Sequence, residues 1–208
     1  MDAKARQVAL SCKGFLDDEE GLRLFDLARE HARLGPIVEI GSYCGKSSVY
    51  LGAGAREAGG TLICVDHHRG SEEQQPGWEH HDPELVDPAV GRMDSLPFLR
   101  RTLHQANLED TAIVIVGNSV PVARLFPAQF ALVFIDGGHS LDVVAADHEA
   151  WSPKIVPGGI LAIHDLFDDP ADGGQGPIEV YRGAVASGAF DELPRTKTLG
   201  VLRRRGAV

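Results

Sequence analysis

Ile37-Val38-Glu39-Ile40-Gly41-Ser42-Tyr43-Cys44-Gly45-Lys46-Ser47 joins a short apolar run to a helix-forming stretch across two glycines. The first four residues read as a strand, Lys46 to Glu57 as a helix, and Gly59-Gly60 as its stop. A loop between strand and helix presents free backbone N–H groups and the positive end of the helix dipole, so it favours an anionic group. Glycines at 41 and 45 let a ligand approach the backbone closely. The spacing rules out two familiar nucleotide loops. A dinucleotide fingerprint needs glycine where Tyr43 stands, and a P-loop needs its first glycine where Ile40 stands.

Outward from this unit the alternation repeats. Thr61 to Val65, Ala112 to Val116, Ala131 to Ile135 and Gly159 to Ile163 are apolar runs separated by amphipathic stretches. That pattern predicts a single doubly wound α/β domain over residues 1–208, a mostly parallel sheet with helices on both faces. Residues 1–34 read as an N-terminal helical segment, with acids at Asp17 to Glu20 opening a helix that Gly35-Pro36 stops. Further helices are expected from Gly91 to Ala106, Ser119 to Leu125, Ser140 to Trp151 and Ile178 to Ser187. Thr198 to Arg203 is expected as a last edge strand. Residues 67–90 are polar and too long for an ordinary connection, so a lid loop is expected there.

A net charge of −10 argues against nucleic acid as partner, and the one basic cluster, Arg203-Arg204-Arg205, reads as a solvated tail. No stretch has the apolar length of a membrane span, and the first ten residues lack the apolar region of a secretory signal. Cys12, Cys44 and Cys64 are odd in number and show no metal-type spacing. Reduced thiols in a cytoplasmic protein are expected, with Cys44 as packing rather than a nucleophile. Tyr43 and Trp78 are the aromatics nearest the expected pocket; Trp78 either stacks on a sugar ring or anchors its loop.

Glu39 to Gly45 has the form Glu-h-Gly-x-x-x-Gly, where h is apolar. On a first strand this resembles the first motif of class I S-adenosylmethionine-dependent methyltransferases. The resemblance implies a Rossmann-like methyltransferase fold and S-adenosylmethionine as cofactor. Its aminoacyl end would lie on Gly41, Ser42, Gly45 and Ser47, with Glu39 holding the amino group. Asp66 closes the second strand about twenty residues on, where a carboxylate can accept from two ribose hydroxyls. The same resemblance places His67 and Asp136 against the cofactor. Asn118 and Ser119 sit where the family contacts adenine, and capping of the next helix is the competing role.

The fourth strand ends in Asp136-Gly137-Gly138-His139 and the fifth in His164-Asp165. Both ends fall on the carboxyl edge, where open α/β sheets bind ligands. Neighbouring strands lie about 5 Å apart, so Asp136, His164 and Asp165 form a candidate divalent-metal site. The two glycines let His139 fold back over that site as a general base. Asp-x-x-His followed by a pair one strand later resembles the metal-dependent sugar O-methyltransferases, in which the acids hold magnesium and the histidine deprotonates a sugar hydroxyl. The resemblance implies a small hydroxyl acceptor, a sugar or methylated mannoside, and a homodimer. His164 departs from the family, which has a carboxylate there; magnesium stays the expected ion with manganese as the alternative, and the departure either shifts the preference toward manganese or another transition metal or makes His164 a hydrogen-bonded core residue. Two alternatives stay open: a catechol-like acceptor, and a metal-dependent phosphoesterase built on Asp66-His67-His68 and His80-His81.

Overall fold

Three β-branched residues around Glu39 make Ile37–Ile40 a strand (β1) with every residue buried. The computed structural model describes residues 1–78, 80–127 and 129–206. Helix α3 (Lys46–Glu57) follows β1 directly, and strands β2 (Leu62–Asp66), β5 (Ala112–Val116), β6 (Phe130–Ile135) and β7 (Ile155–Ile163) lie parallel to it. Two further strands, β8 (Phe190–Thr196) and β9 (Leu199–Arg204), complete a sheet of order β5-β2-β1-β6-β7-β9-β8. Strand β9 runs antiparallel to both of its neighbours.

The chain steps outward from β1 to β5 and then returns to β6 on the other side, so the strand order reverses between β1 and β6. Register does the rest. Ile40 stands opposite Val65 and Ile135, and Ile135 opposite Ile163. The next residues, Gly41, Asp66, Asp136 and His164, therefore emerge in one row at the carboxyl edge. Three backbone bonds continue the ladder past the strands: Gly41 to Val65, Asp136 to Ile40 and His164 to Ile135.

Strand side chains alternate between two apolar layers, as their period of two requires. Ile37, Leu62, Leu132 and Phe134 pack with α1 (Ala3–Ser11), α2 (Asp18–His31), α3 and α4 (Leu96–Gln105). Val38, Ile63, Val133 and Leu161 pack with α5 (Ser119–Ala123), α6 (Leu141–Trp151) and α7 (Gly176–Ala186).

Several expectations are corrected. Helix α1 is capped by Asp2, which accepts from the Ala5 amide at 2.8 Å; it lacks a strong apolar stripe. Strand β7 begins four residues before Gly159. The register slips between Phe130 and Leu132 where β7 joins β6, which a reading of apolar runs does not foresee. Strand β8 was not expected: it is polar and contains Pro194, both tolerated at a sheet edge.

The expected helix at 91–106 starts only at Leu96, because Arg92–Met93 (β4) pairs with Val86–Asp87 (β3) as a hairpin. The described residues of 67–90 are thus folded: two helical turns, at Glu72–Gln74 and Pro83–Leu85, precede and lead into the hairpin. Leu85 and Met93 root this segment against Cys44. Lys13 pairs with Asp82 at 2.5 Å and Glu84 at 2.7 Å, and Phe15 lies between the rings of Tyr43 and His80. Trp78 is half exposed. No helix among the described residues is long and apolar enough to cross a membrane.

Candidate active site

The loop after β1 is held in a conformation that only its glycines reach easily. Gly41 has φ +90° and Gly45 φ +95°. A Cβ on Gly41 would lie 2.2 Å from the carbonyl oxygen of Asp136, so this loop touches the end of β6. Asp66 fastens the neighbouring turns. Its Oδ2 accepts from the Tyr43 amide at 2.8 Å and its Oδ1 from the His68 amide at 2.7 Å. Tyr43, His68 and Asp165 all carry positive φ, a strained conformation for side-chain-bearing residues that clusters here at the carboxyl edge. Lys46 donates to the carbonyl of Gly14, so its ammonium is not aimed as a phosphate clamp would be.

Glu39 is fully buried. Its Oε2 accepts from Ser48 on α3, while its Oε1 has no partner among the described residues. Burial raises its pKa to about 7, only partly offset by the hydroxyls of Ser47 and Ser48. The buried hydroxyl of Ser42 is also without a partner among the described residues. Orphaned buried polar atoms are rare in folded proteins and call for a missing partner. A ligand with an ammonium group and a carboxylate would supply one to each, so the loop fits the aminoacyl end of S-adenosylmethionine.

At the ends of β6 and β7 the acids and histidines converge. Asp136, His164 and Asp165 offer ligand atoms that all lie within 4.8 Å of one another. His164 Nδ1 stands 2.9 Å from Asp136 Oδ1 and 3.4 Å from Asp165 Oδ2. Adjacent donors on an octahedral ion at about 2.1 Å are about 3 Å apart, so these spacings fit a divalent cation. Burial opposes charge on His164, yet the carboxylates of Asp136, Asp165 and Glu20 override it and raise its pKa. Burial likewise opposes charge on Asp165, and bonds from His139 and His164 outweigh it and lower its pKa.

His139 folds back over the cluster. Its Nε2 lies 2.9 Å from Asp165 Oδ2 and its Nδ1 donates to Glu73 Oε2 at 2.8 Å. The bond to Asp165 is the main cause of a pKa raised to about 9, with burial opposing it and Glu73 adding to it.

Other expected residues sit apart from these contacts. Asn118 caps α5 by position but makes no side-chain cap bond among the described residues. Ser119 donates instead to the buried Asp147 of α6. His67 is exposed and accepts from the Arg69 amide, whereas His68 is buried and bonded to Ser95 at 2.8 Å. His81 is turned to the Gln74 carbonyl and His80 packs on Phe15. Among the described residues these histidines assemble no second metal cluster, and the phosphoesterase alternative has no centre to use.

Two residues were missed in the sequence. Glu20 carried only the signal of a capping box, three positions after Asp17. Glu73 carried none, lying in a polar stretch 66 residues from its partner His139.

The order of strands around β1, with β9 inserted in reverse beside β7, defines a Rossmann-like methyltransferase fold. Residues 38–166 match the methyltransferase-domain family Methyltransf_24, and the chain belongs to that family. Solved structures agree with the architecture. An O-methyltransferase of Streptomyces achromogenes, TomG, involved in tomaymycin synthesis and bound to S-adenosylmethionine, is 17% identical. The match covers 99% of this chain and 91% of that one, with a TM-score of 0.66. An O-methyltransferase of Bacillus cereus bound to S-adenosylhomocysteine is 18% identical over 98% of this chain and 90% of that one, with a TM-score of 0.64. The O-methyltransferase NovP is 18% identical over 88% of this chain and 80% of that one, also at 0.64.

Proposed function

We propose that this methyltransferase moves the methyl group of S-adenosylmethionine to a hydroxyl of a small polyol, a sugar or methylated mannoside, with the help of a divalent ion. The observation that carries the reading is the contact between Gly41 and Asp136. It sets the cofactor loop directly against the Asp136, His164 and Asp165 cluster, with His139 above. O-methyltransferases bound to this cofactor or its demethylated product, among the structural neighbours, support the choice of cofactor and of oxygen as acceptor.

The cofactor supplies an electrophilic methyl group on a sulfonium. Glu39 Oε1 would take its amino group and Ser42 its carboxylate. Asp66 would take the ribose hydroxyls with the lone pairs it does not use on Tyr43 and His68. Asn118, whose side chain makes no cap bond, is left for the adenine edge.

An alcohol has a pKa of roughly 15–16, like water, and a divalent ion held by Asp136, His164 and Asp165 would lower it. His139 Nε2 would receive the hydroxyl proton, and Glu73 would hold the ring by Nδ1. The described residues of the 67–90 segment, reaching the cluster through Glu73, would cover the site and exclude water.

Three results are expected. Asp66→Ala weakens S-adenosylmethionine binding about ten- to hundredfold in calorimetry, the loss of one charge-assisted bond or more. An unchanged dissociation constant removes the ribose from Asp66. Incubation with labelled cofactor and a panel of diols and methylated sugars yields product that a chelator abolishes and a divalent ion restores. Asp136→Asn removes that restoration while circular dichroism still shows the folded protein, although its melting temperature falls because buried His164 loses a charged partner. Full turnover in excess chelator takes the ion out of the reaction.

A further inference from the structure

We propose that Glu20 is the positioning residue that makes His164 a nitrogen ligand, and that the centre therefore selects a transition metal such as manganese over magnesium. This rests on the metal-dependent reading above and deepens it.

Glu20 is 3% exposed and meets four donors. Its Oε1 accepts from the amide and the hydroxyl of Thr198, both at 2.8 Å. Its Oε2 accepts from the Asp17 amide at 3.2 Å and faces His164 Nε2 at 3.0 Å. An ionised carboxylate has about four lone-pair sites, and here each has a partner.

The donors come from the start of α2, the turn between β8 and β9, and the end of β7. Turning the carboxylate would cost the part-buried amides of Asp17 and Thr198 their acceptor, and an ionised carboxylate presents His164 with an acceptor and nothing else. Nε2 must then carry the ring hydrogen. Once an ion replaces the hydrogen on Nδ1, the atom facing Asp136 and Asp165 is a nitrogen lone pair.

This is the carboxylate–histidine–metal arrangement that fixes the tautomer and orientation of metal-bound histidines. A capping box alone asks only for the Asp17 bond. The bond to His164, 144 residues away, is unexplained by capping. Imidazole suits transition metals such as iron, nickel and zinc, whereas magnesium prefers carboxylates, carbonyls and water; manganese shares the oxygen ligands of magnesium and, as a transition metal, serves here as the spectroscopic probe.

The test is manganese binding to the full chain, followed by electron paramagnetic resonance, with magnesium as competitor. Bound manganese should show hyperfine coupling to one directly ligated imidazole nitrogen, assigned with isotopically labelled histidine. Manganese should also bind more tightly than magnesium, since only the transition metal gains from the nitrogen ligand. Glu20→Gln should weaken manganese about ten- to hundredfold, because an amide facing Nε2 donates and drives the ring hydrogen onto Nδ1. In a His164→Asp background, whose carboxylate has no tautomer to fix, Glu20→Gln should not weaken manganese binding.

Where Glu20→Gln unsettles the fold, the wild-type spectrum still decides. Manganese bound without nitrogen coupling, or a preference for magnesium, overturns this inference and leaves the metal-dependent reading standing. No bound ion at all overturns both.

Discussion

His139→Ala should lower turnover by about 10²–10⁴, the usual contribution of a positioned base, while cofactor binding stays unchanged. Metal binding should not weaken, because the ring nitrogen facing Asp165 competes for a carboxylate that an ion would use. The pH profile carries the sharper signature. Only the unprotonated imidazole can accept a proton, and the bond to Asp165 holds the His139 pKa up to about 9 when no ion is bound. The need for an unprotonated ring is by itself enough to give the wild-type rate an acid limb, and the variant loses that limb.

The same shift makes a stability statement about the ion-free protein. A histidine whose pKa is raised by folding contributes stability in full below its unfolded value of about 6.5. That contribution is lost as pH rises through about 9. The melting temperature of ion-free wild type should fall across this window, and that of His139→Ala should fall less. Near-normal turnover with an unaltered profile would exclude His139 as the base.

Gly41→Ala should unfold the cofactor loop or the protein with it. The added carbon would stand 2.2 Å from the Asp136 carbonyl oxygen, well inside contact distance, and both partners are backbone anchored in adjacent strands. Positive φ at a residue with a side chain costs about 1–2 kcal/mol, and overpacking a close contact about 1–3 kcal/mol more. A loss of about 2–5 kcal/mol is a large share of a marginal stability. Thermal melting should show it, with cofactor binding lost in whatever fraction stays folded. Gly59→Ala is the control. Its φ is also positive, at +72°, but nothing lies within 4 Å of the added carbon, so only the backbone term applies. Equal losses at the two positions would show that the approach of Gly41 to Asp136 is not what matters.

What was legible in the sequence is what neighbouring residues decide. The apolar run before Gly41, the acid after Val65 and the pairs at Asp136 and Asp165 are local patterns, and register then lines up the strand ends. What was not legible depends on distant contacts. Strand β8 has little apolar character of its own and exists because β9 offers it a ladder. Arg92 and Met93 leave the expected helix because Val86 and Asp87 are there to pair with them. Glu20 reads as an ordinary cap until the fold brings His164 to it. His67 and His68 are indistinguishable in sequence, yet the positive φ of His68 accompanies a buried ring on one and an exposed ring on the other.

The segment that follows β2 is attached in two unlike ways. Its root, Leu85 and Met93 against Cys44, is apolar and indifferent to salt. Its rims are ionic and reached by solvent: Lys13 with Asp82 and Glu84, and Glu73 with His139. Solvent-reached pairs of this kind contribute on the order of 1 kcal/mol each and weaken as salt rises. Raising the salt should therefore loosen the ionic rims before the apolar root, so the two attachments of the segment respond differently to the medium.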